Sequence, residues 1–330
     1  MNKPLRIGIV GYGNLGKSTE RCLLQNPDME LAGVFTRRDP DTVTTVTGHE
    51  KVYHVDEAIT MTGDIDVMVL CGGSMSDIPV QGPAFAALFN TVDGFDTHAK
   101  INEYFDAMDG ASRKAGTVAV VASGWDPGMF SINRLYAESI LPDGETYTFW
   151  GKGISQGHSD AIRRVEGVRD AKQYTIPREQ AIGAVKNGET PELSVRDKHK
   201  RVCYVVAKEG ADRPAIEQTI VNMPDYFADY DTEVHFISQE ELDRDHGGLP
   251  HGGTVIRYGQ TGPENSNKHV VQYEIALGSN PDFTACVLLA YARAAYRLRQ
   301  EGGTGARTVI DIAPAYLSPQ SGRELRAALI

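Results

Sequence analysis

Gly11-x-Gly13-x-x-Gly16 follows the apolar run Leu5-Arg-Ile-Gly-Ile-Val10 and leads into a helical stretch from Lys17 to Gln25. Strand, glycine turn and helix in this order form a dinucleotide grip. Gly11 permits a tight turn, Gly13 lets the backbone approach a pyrophosphate, and Gly16 lets the helix pack closely, with Tyr12, Asn14 and Leu15 completing the turn. An NAD-selective site carries Asp or Glu about 20 residues further on, to hold the ribose 2′-hydroxyl. Here the second strand, Leu31-Ala-Gly-Val-Phe35, runs into Thr36-Arg37-Arg38. A hydroxyl and two guanidiniums suit a 2′-phosphate, because Arg forks meet phosphate oxygens bidentately. The expected cofactor is therefore NADP(H), with Cys71-Gly72-Gly73-Ser74 running beneath it at the end of another strand.

Further candidates lie along the chain. Asp96 and Asp126 both follow expected sheet strands, where an α/β sheet binds ligands, and two carboxylates there suit a cationic substrate group. Either could equally cap a turn or helix. Trp150-Gly-Lys-Gly-Ile-Ser-Gln156-Gly-His-Ser-Asp160 places an amide, an imidazole and a carboxylate in a glycine-rich run. Asp160 could there cap a helix starting at Ala161. No HExxH or cysteine cluster is present, and no metal is expected. Arg201 and His251, the latter in a Gly/Pro loop, could clamp a carboxylate, although a surface Arg and a turn His are the commoner readings.

These side chains need a scaffold. Alternating and continuous apolar runs predict strands at 66–71, 91–93 and 117–121, with helices near 79–89 and 101–115 between them. That is a doubly wound parallel sheet, complete near residue 122. From about 146 to 275 the pattern turns to antiparallel-looking strands, 147–150, 172–176, 202–207, 232–237, 253–258 and 270–277, with helices near 178–187 and 213–222. The expected organisation is a Rossmann-type domain over 1–122 and 285–330 and an α+β substrate and dimerisation domain over 123–284. A helix from Thr284 to Gln300 with apolar residues at helical spacing makes the first domain discontinuous.

Composition narrows the class. A chain of 330 residues with 41% hydrophobic and 23% charged residues is long enough for two cores. A net charge of −11 argues against nucleic acid and anionic membranes as partners, which leaves a small molecule. Four cysteines without a CxxC pair, the lack of a charged-then-apolar leader and the lack of a run of roughly 20 apolar residues suggest a cytoplasmic protein with reduced thiols.

Longer strings carry more information than the glycine motif. Val10-Gly-Tyr-Gly-Asn-Leu-Gly16, Val121-Ala-Ser-Gly-Trp-Asp-Pro-Gly-Met-Phe-Ser-Ile-Asn-Arg134, Thr148-Phe-Trp-Gly151, Ser155-Gln-Gly-His-Ser-Asp160, Met223-Pro-Asp-Tyr-Phe227, Pro250-His-Gly-Gly253 and Asn280-Pro-Asp-Phe-Thr284 span the chain. Together they resemble the meso-diaminopimelate dehydrogenase family. The resemblance implies NADP-dependent, reversible oxidative deamination of the D-centre of meso-2,6-diaminopimelate to L-2-amino-6-oxopimelate and ammonia, feeding lysine and peptidoglycan precursors. It places Asp96, Trp125 and Asp126 near the reacting centre. Trp150, Gln156, Asp160, Thr175, Arg201, His251 and Asn280 would line the pocket, several around the distal L-centre, and a homodimer would be expected. Another two-domain NADP oxidoreductase, such as a sugar or semialdehyde dehydrogenase, would favour a lysine acid, and none sits in an obvious catalytic loop. A regulator that senses NADP(H) without turnover is the reading from another class.

Overall fold

The computed structural model describes residues 3–49 and 51–330. The chain divides into two compact units, Met1–Ile132 with Pro281–Ile330, and Asn133–Asn280. Residues 123–132 and 281–284 fall in the first unit.

The first unit is built on strands β1 (Leu5–Val10), β2 (Met29–Thr36), β3 (Val52–His54), β4 (Val67–Leu70), β5 (Asn90–Asp93) and β6 (Val118–Val120), with a seventh at Gly305–Arg307. All pairings are parallel, in the order Gly305–Arg307, β6, β5, β4, β1, β2, β3. The order reverses between β1 and β4, so the carboxyl ends of these neighbours open a crevice, the place where such sheets take nucleotides.

Period-two alternation sends Ile7, Ile9, Val67 and Val69 to one face, against Ala285, Leu288, Tyr291 and Ala292 of the helix Asn280–Gln300. Val10, Met68 and Leu70 face the other way, onto Phe85 and Phe89. A parallel sheet buried on both faces explains the nearly uninterrupted apolar character of these strands. Arg293 ties the long helix down, donating to both carboxylate oxygens of Asp28 at 2.6 and 2.9 Å and to Asn26 Oδ1 at 2.9 Å.

The second unit holds two sheets. One runs Asn267–Leu277, His251–Thr261, Gly144–Trp150, all antiparallel. The other runs Asp231–Phe236, His199–Ala207, Val168–Pro177, Gly153–Ile154. The expected strands are present, but one pairing differs from expectation: Asp231–Phe236 runs parallel to His199–Ala207. The intervening helix Arg213–Val221 is the reason, because a helical crossover returns the chain in the direction of the first strand. That helix and Gln156–Arg163 cover a core of Ile162, Ala171, Cys203, Val205, Ile216 and Phe227. No helix among the described residues is long and apolar enough to cross a membrane.

Candidate active site

In the first unit the glycine loop links β1 to helix α1 (Asn14–Leu23). Gly11 has φ +88°, a left-handed conformation, and a Cβ there would lie 3.2 Å from the Cys71 carbonyl carbon. At Gly16 a Cβ would lie 2.1 Å from the Gly11 carbonyl oxygen. Gly13 caps α1 without a side-chain hydrogen bond, and a Cβ there would meet nothing within 4 Å. The opening amides of α1 are thus approachable at the positive end of the helix, the donor set a pyrophosphate needs.

Beside this loop β2 ends. The Arg38 backbone amide donates to Thr36 Oγ1 at 3.1 Å, and its guanidinium to the Tyr12 carbonyl at 3.0 Å. Arg37 pairs with Asp77 at 2.7 Å, and Asp77 also accepts the Gly73 amide at 2.9 Å. Both arginines therefore stand at the glycine turns, Arg38 at the first and Arg37 across to 71–74. Burial pushes the Cys71 thiol up to about 12, which keeps it protonated. Glu20, buried on α1, accepts from Tyr12, the Val46 amide and Thr47, binding the segment after the arginines to the glycine loop. These residues fit NADP.

Past β5 the chain turns through Asp96, exposed, whose amide donates to Ser74 Oγ at 2.8 Å. Trp125 is buried edge-on against Phe130, with ring centroids 5.6 Å apart, and Asp126 is half-buried beside it. Asp93, which the sequence reading did not single out, organises both turns. Its Oδ1 accepts the Phe95 and Ala122 amides at 3.0 and 3.2 Å, its Oδ2 the Tyr104 hydroxyl at 2.8 Å, and its carbonyl the Ser123 amide and hydroxyl. An acidic residue closing the strand Asn90-Thr-Val-Asp93 at the carboxyl edge of the sheet was the available signal.

In the second unit Gly153, Thr175 and Arg201 form one row across three strands. A Cβ on Gly153 would strike the His251 ring at 2.5 Å, so His251 adjoins this row. Arg201 is buried, donates to Thr175 Oγ1 and lies 3.9 Å over the Tyr230 ring. Burial lowers its pKa from the ordinary value, and no carboxylate among the described residues pairs with it. His158 and His199 are held neutral, both down to about 4, by burial and then by Arg201. Trp150 stacks on His199 at 5.4 Å and donates its amide to Nε2.

Gln156 begins the helix Gln156–Arg163, and the Asn280 amide donates to the Leu249 carbonyl at 2.9 Å. Asp160 does not cap a helix. Ser155 does, accepting the His158 amide, so the helix starts at Gln156 and Asp160 lies inside it, paired with Arg163. The short strand Gly153–Ile154 shortens the loop that the glycines suggested, which moves the helix start forward. The structure thus joins Thr175, Arg201 and His251, and turns Asp160 to a surface ion pair. Among the described residues no group of three or more metal-ligating side chains occurs.

Comparison with known proteins gives one family model, described as the diaminopimelic acid dehydrogenase C-terminal domain, over residues 124–279. The meso-diaminopimelate D-dehydrogenase of Acetivibrio thermocellus is 64% identical over 328 residues, 99% of this chain and 98% of that protein. Among solved structures, the Corynebacterium glutamicum DAP dehydrogenase in complex with DAP matches at 46% identity and TM-score 0.92, over 99% of this chain and all of that one (100%). An engineered D-amino acid dehydrogenase bound to NADP+ matches at 44% identity and TM-score 0.87, over the same shares, 99% and 100%.

Asp93 makes stability depend on pH. Burial raises its carboxyl from 3.8 to about 6 despite the hydrogen bonds that lower it. A pKa raised on folding contributes stability that is complete below pH 4 and is lost as pH climbs through 6, about 2–3 kcal/mol in all. Asp93→Asn keeps an acceptor for the two amides and removes the titration. In urea unfolding from pH 4 to 8 the variant should gain on the wild type by that amount, and a gap independent of pH would assign the titration elsewhere.

Proposed function

The chain belongs to the meso-diaminopimelate D-dehydrogenase family, and from that premise we propose how its residues divide the reaction. It is an NADP-dependent amino-acid dehydrogenase. It catalyses reversible oxidative deamination at the D-centre of meso-2,6-diaminopimelate, giving L-2-amino-6-oxopimelate, which cyclises to tetrahydrodipicolinate, and ammonia, a step of lysine biosynthesis.

The observation that carries the division is Arg201: a buried guanidinium with no carboxylate partner among the described residues, held by Thr175. Such a cation calls for an anion from outside the chain. We assign it the carboxylate at the end remote from the chemistry, with Thr175, His251, Gln156 and Asn280 around that L-centre and Trp150 beside them; Asp160, paired with Arg163 at the surface, is left out of that set. A substrate with chemically identical ends is then read by its handedness.

Asp96, Trp125 and Asp126 are assigned to the reacting D-centre. The carboxylates of Asp96 and Asp126 hold the ammonium, and one of the two takes its proton through water as water enters to hydrolyse the imine. NADP+ supplies the hydride acceptor. Gly11 to Gly16, with Tyr12, Asn14 and Leu15, hold the pyrophosphate, Thr36, Arg37 and Arg38 the 2′-phosphate, and Cys71, Gly72, Gly73 and Ser74 line the adjoining edge. Asp77 keeps Arg37 aimed across the crevice.

We further propose a cytoplasmic homodimer. The four cysteines are free thiols. The strand Asn267–Leu277 pairs on one side only and is largely exposed, an edge that a second copy could cover.

Three outcomes test this reading. Replacing Arg37 and Arg38 together by Ala should raise the NADP+ KM roughly 10–100-fold, since charge-assisted bonds are lost, and leave NAD+ use nearly unchanged. Equal use of both cofactors by the unmodified enzyme would defeat the assignment. Arg201→Met should raise the KM for meso-diaminopimelate by about tenfold or more and relax the demand for a distal amino-acid group; kinetics within about twofold of wild type would remove Arg201 from the pocket. L,L-diaminopimelate, whose Cα–H points away from the nicotinamide in this orientation, should turn over at about 1% of the meso rate or less. Comparable rates would mean that the two ends have been assigned wrongly.

A further inference from the structure

Val168–Pro177 and His199–Ala207 pair antiparallel, with Arg201 opposite Thr175 and Cys203 opposite Gln173. Directly paired residues point to one face, and residues two apart on a strand share it, so Gln173, Thr175, Arg201 and Cys203 form one patch. Away from Arg201 this face becomes apolar, through Ala171, Cys203 and Val205 under Ile162 and Phe227. Gln173 stands where the polar row meets that core.

Its side chain is 0% exposed, and neither Nε2 nor Oε1 has a hydrogen-bond partner among the described residues. The same is true of Arg201 Nε, on the same face. The Gln173 backbone, by contrast, is held on both sides: its amide donates to Ser159 Oγ at 3.0 Å, and its carbonyl accepts the Ser155 amide at 3.1 Å. Buried polar groups are nearly always paired, so an amide fixed in place with both ends unpaired points to a partner that is not part of the chain.

We propose that Gln173 is a specificity residue that recognises the amino-acid head group remote from the chemistry. An α-amino acid offers a carboxylate acceptor and an ammonium donor on one carbon. Arg201 and Thr175 take the carboxylate, and Gln173 Oε1 accepts from the ammonium. This rests on the assignment of Arg201 above. It also explains why an amide occupies a position whose neighbours on the core side are all apolar: Leu or Met would pack there equally well and would leave the ammonium without an acceptor.

The test compares Gln173→Met, Gln173→Leu and Arg201→Met in the full-length enzyme with NADP+. It uses meso-diaminopimelate and D-2-aminopimelate, which keeps the remote carboxylate and lacks the remote ammonium. Both Gln173 variants should melt at or above the wild-type temperature, because removing an unpaired buried amide relieves the fold. Their KM for meso-diaminopimelate should rise about 5–30-fold, with the NADP+ KM within about twofold, and their preference for meso-diaminopimelate over D-2-aminopimelate should shrink by a similar factor. A lower melting temperature with the meso-diaminopimelate KM within about twofold would make Gln173 a framework amide and overturn the proposal. If that occurs while Arg201→Met is impaired, the Arg201 assignment stands alone. An unimpaired Arg201→Met overturns both.

Discussion

Helix α1 can rest on the first turn of the chain only because residue 16 has no side chain, since a Cβ there would lie 2.1 Å from the Gly11 carbonyl oxygen. That single approach sets the height of the helix over the sheet. From it follow the exposure of its opening amides at the crevice between β1 and β4, the reach of Arg38 to the Tyr12 carbonyl, and the position of Glu20, whose carboxylate binds residues 46 and 47 to the same turn. A one-carbon addition at Gly16 would disturb the phosphate donors, the arginine pair and the adjoining segment together, because all take their position from α1.

The second unit solves a different electrostatic problem. Burying a guanidinium without a counter-ion is unfavourable, and the chain softens this with the Thr175 hydroxyl and the Tyr230 ring rather than with a carboxylate. A resident acid would make Arg201 more comfortable and would compete with the substrate for it. Two neighbouring histidines are kept neutral by the same burial and the same charge, so the local field stays positive and favours an anion. Arg37 in the first unit is managed in the opposite way. It is exposed and paired with Asp77, an arrangement that holds a surface side chain in position at little energetic penalty.

Asp93 links the sheet to the turns bearing Asp96, Trp125 and Asp126. Its carboxylate and carbonyl collect donors from residues 95, 104, 122 and 123, so two loops that meet only in space are tied at one buried group. The turns that carry the residues assigned to the reacting centre are thereby anchored to the sheet through one buried group.

Much of this was legible in the sequence for local reasons. The glycine turn, the pair of arginines, the apolar parallel strands, the long helix at 284–300 and the resemblance carried by strings such as Ser123-Gly-Trp-Asp-Pro all depend on neighbours in the chain. Glycine spacing and apolar period are readable because backbone sterics and side-chain direction act over a few residues. What the tertiary structure decided depends on residues far apart in sequence. The parallel pairing of 231–236, the helix cap at Ser155 that leaves Asp160 bound to Arg163, the clamp of Asp93, and the burial of Arg201 and Gln173 on one face appear only when register sets which strands and helices meet. A side chain's charge is written in its own codon, but whether that charge is buried, paired or left waiting for a ligand is a property of everything packed around it.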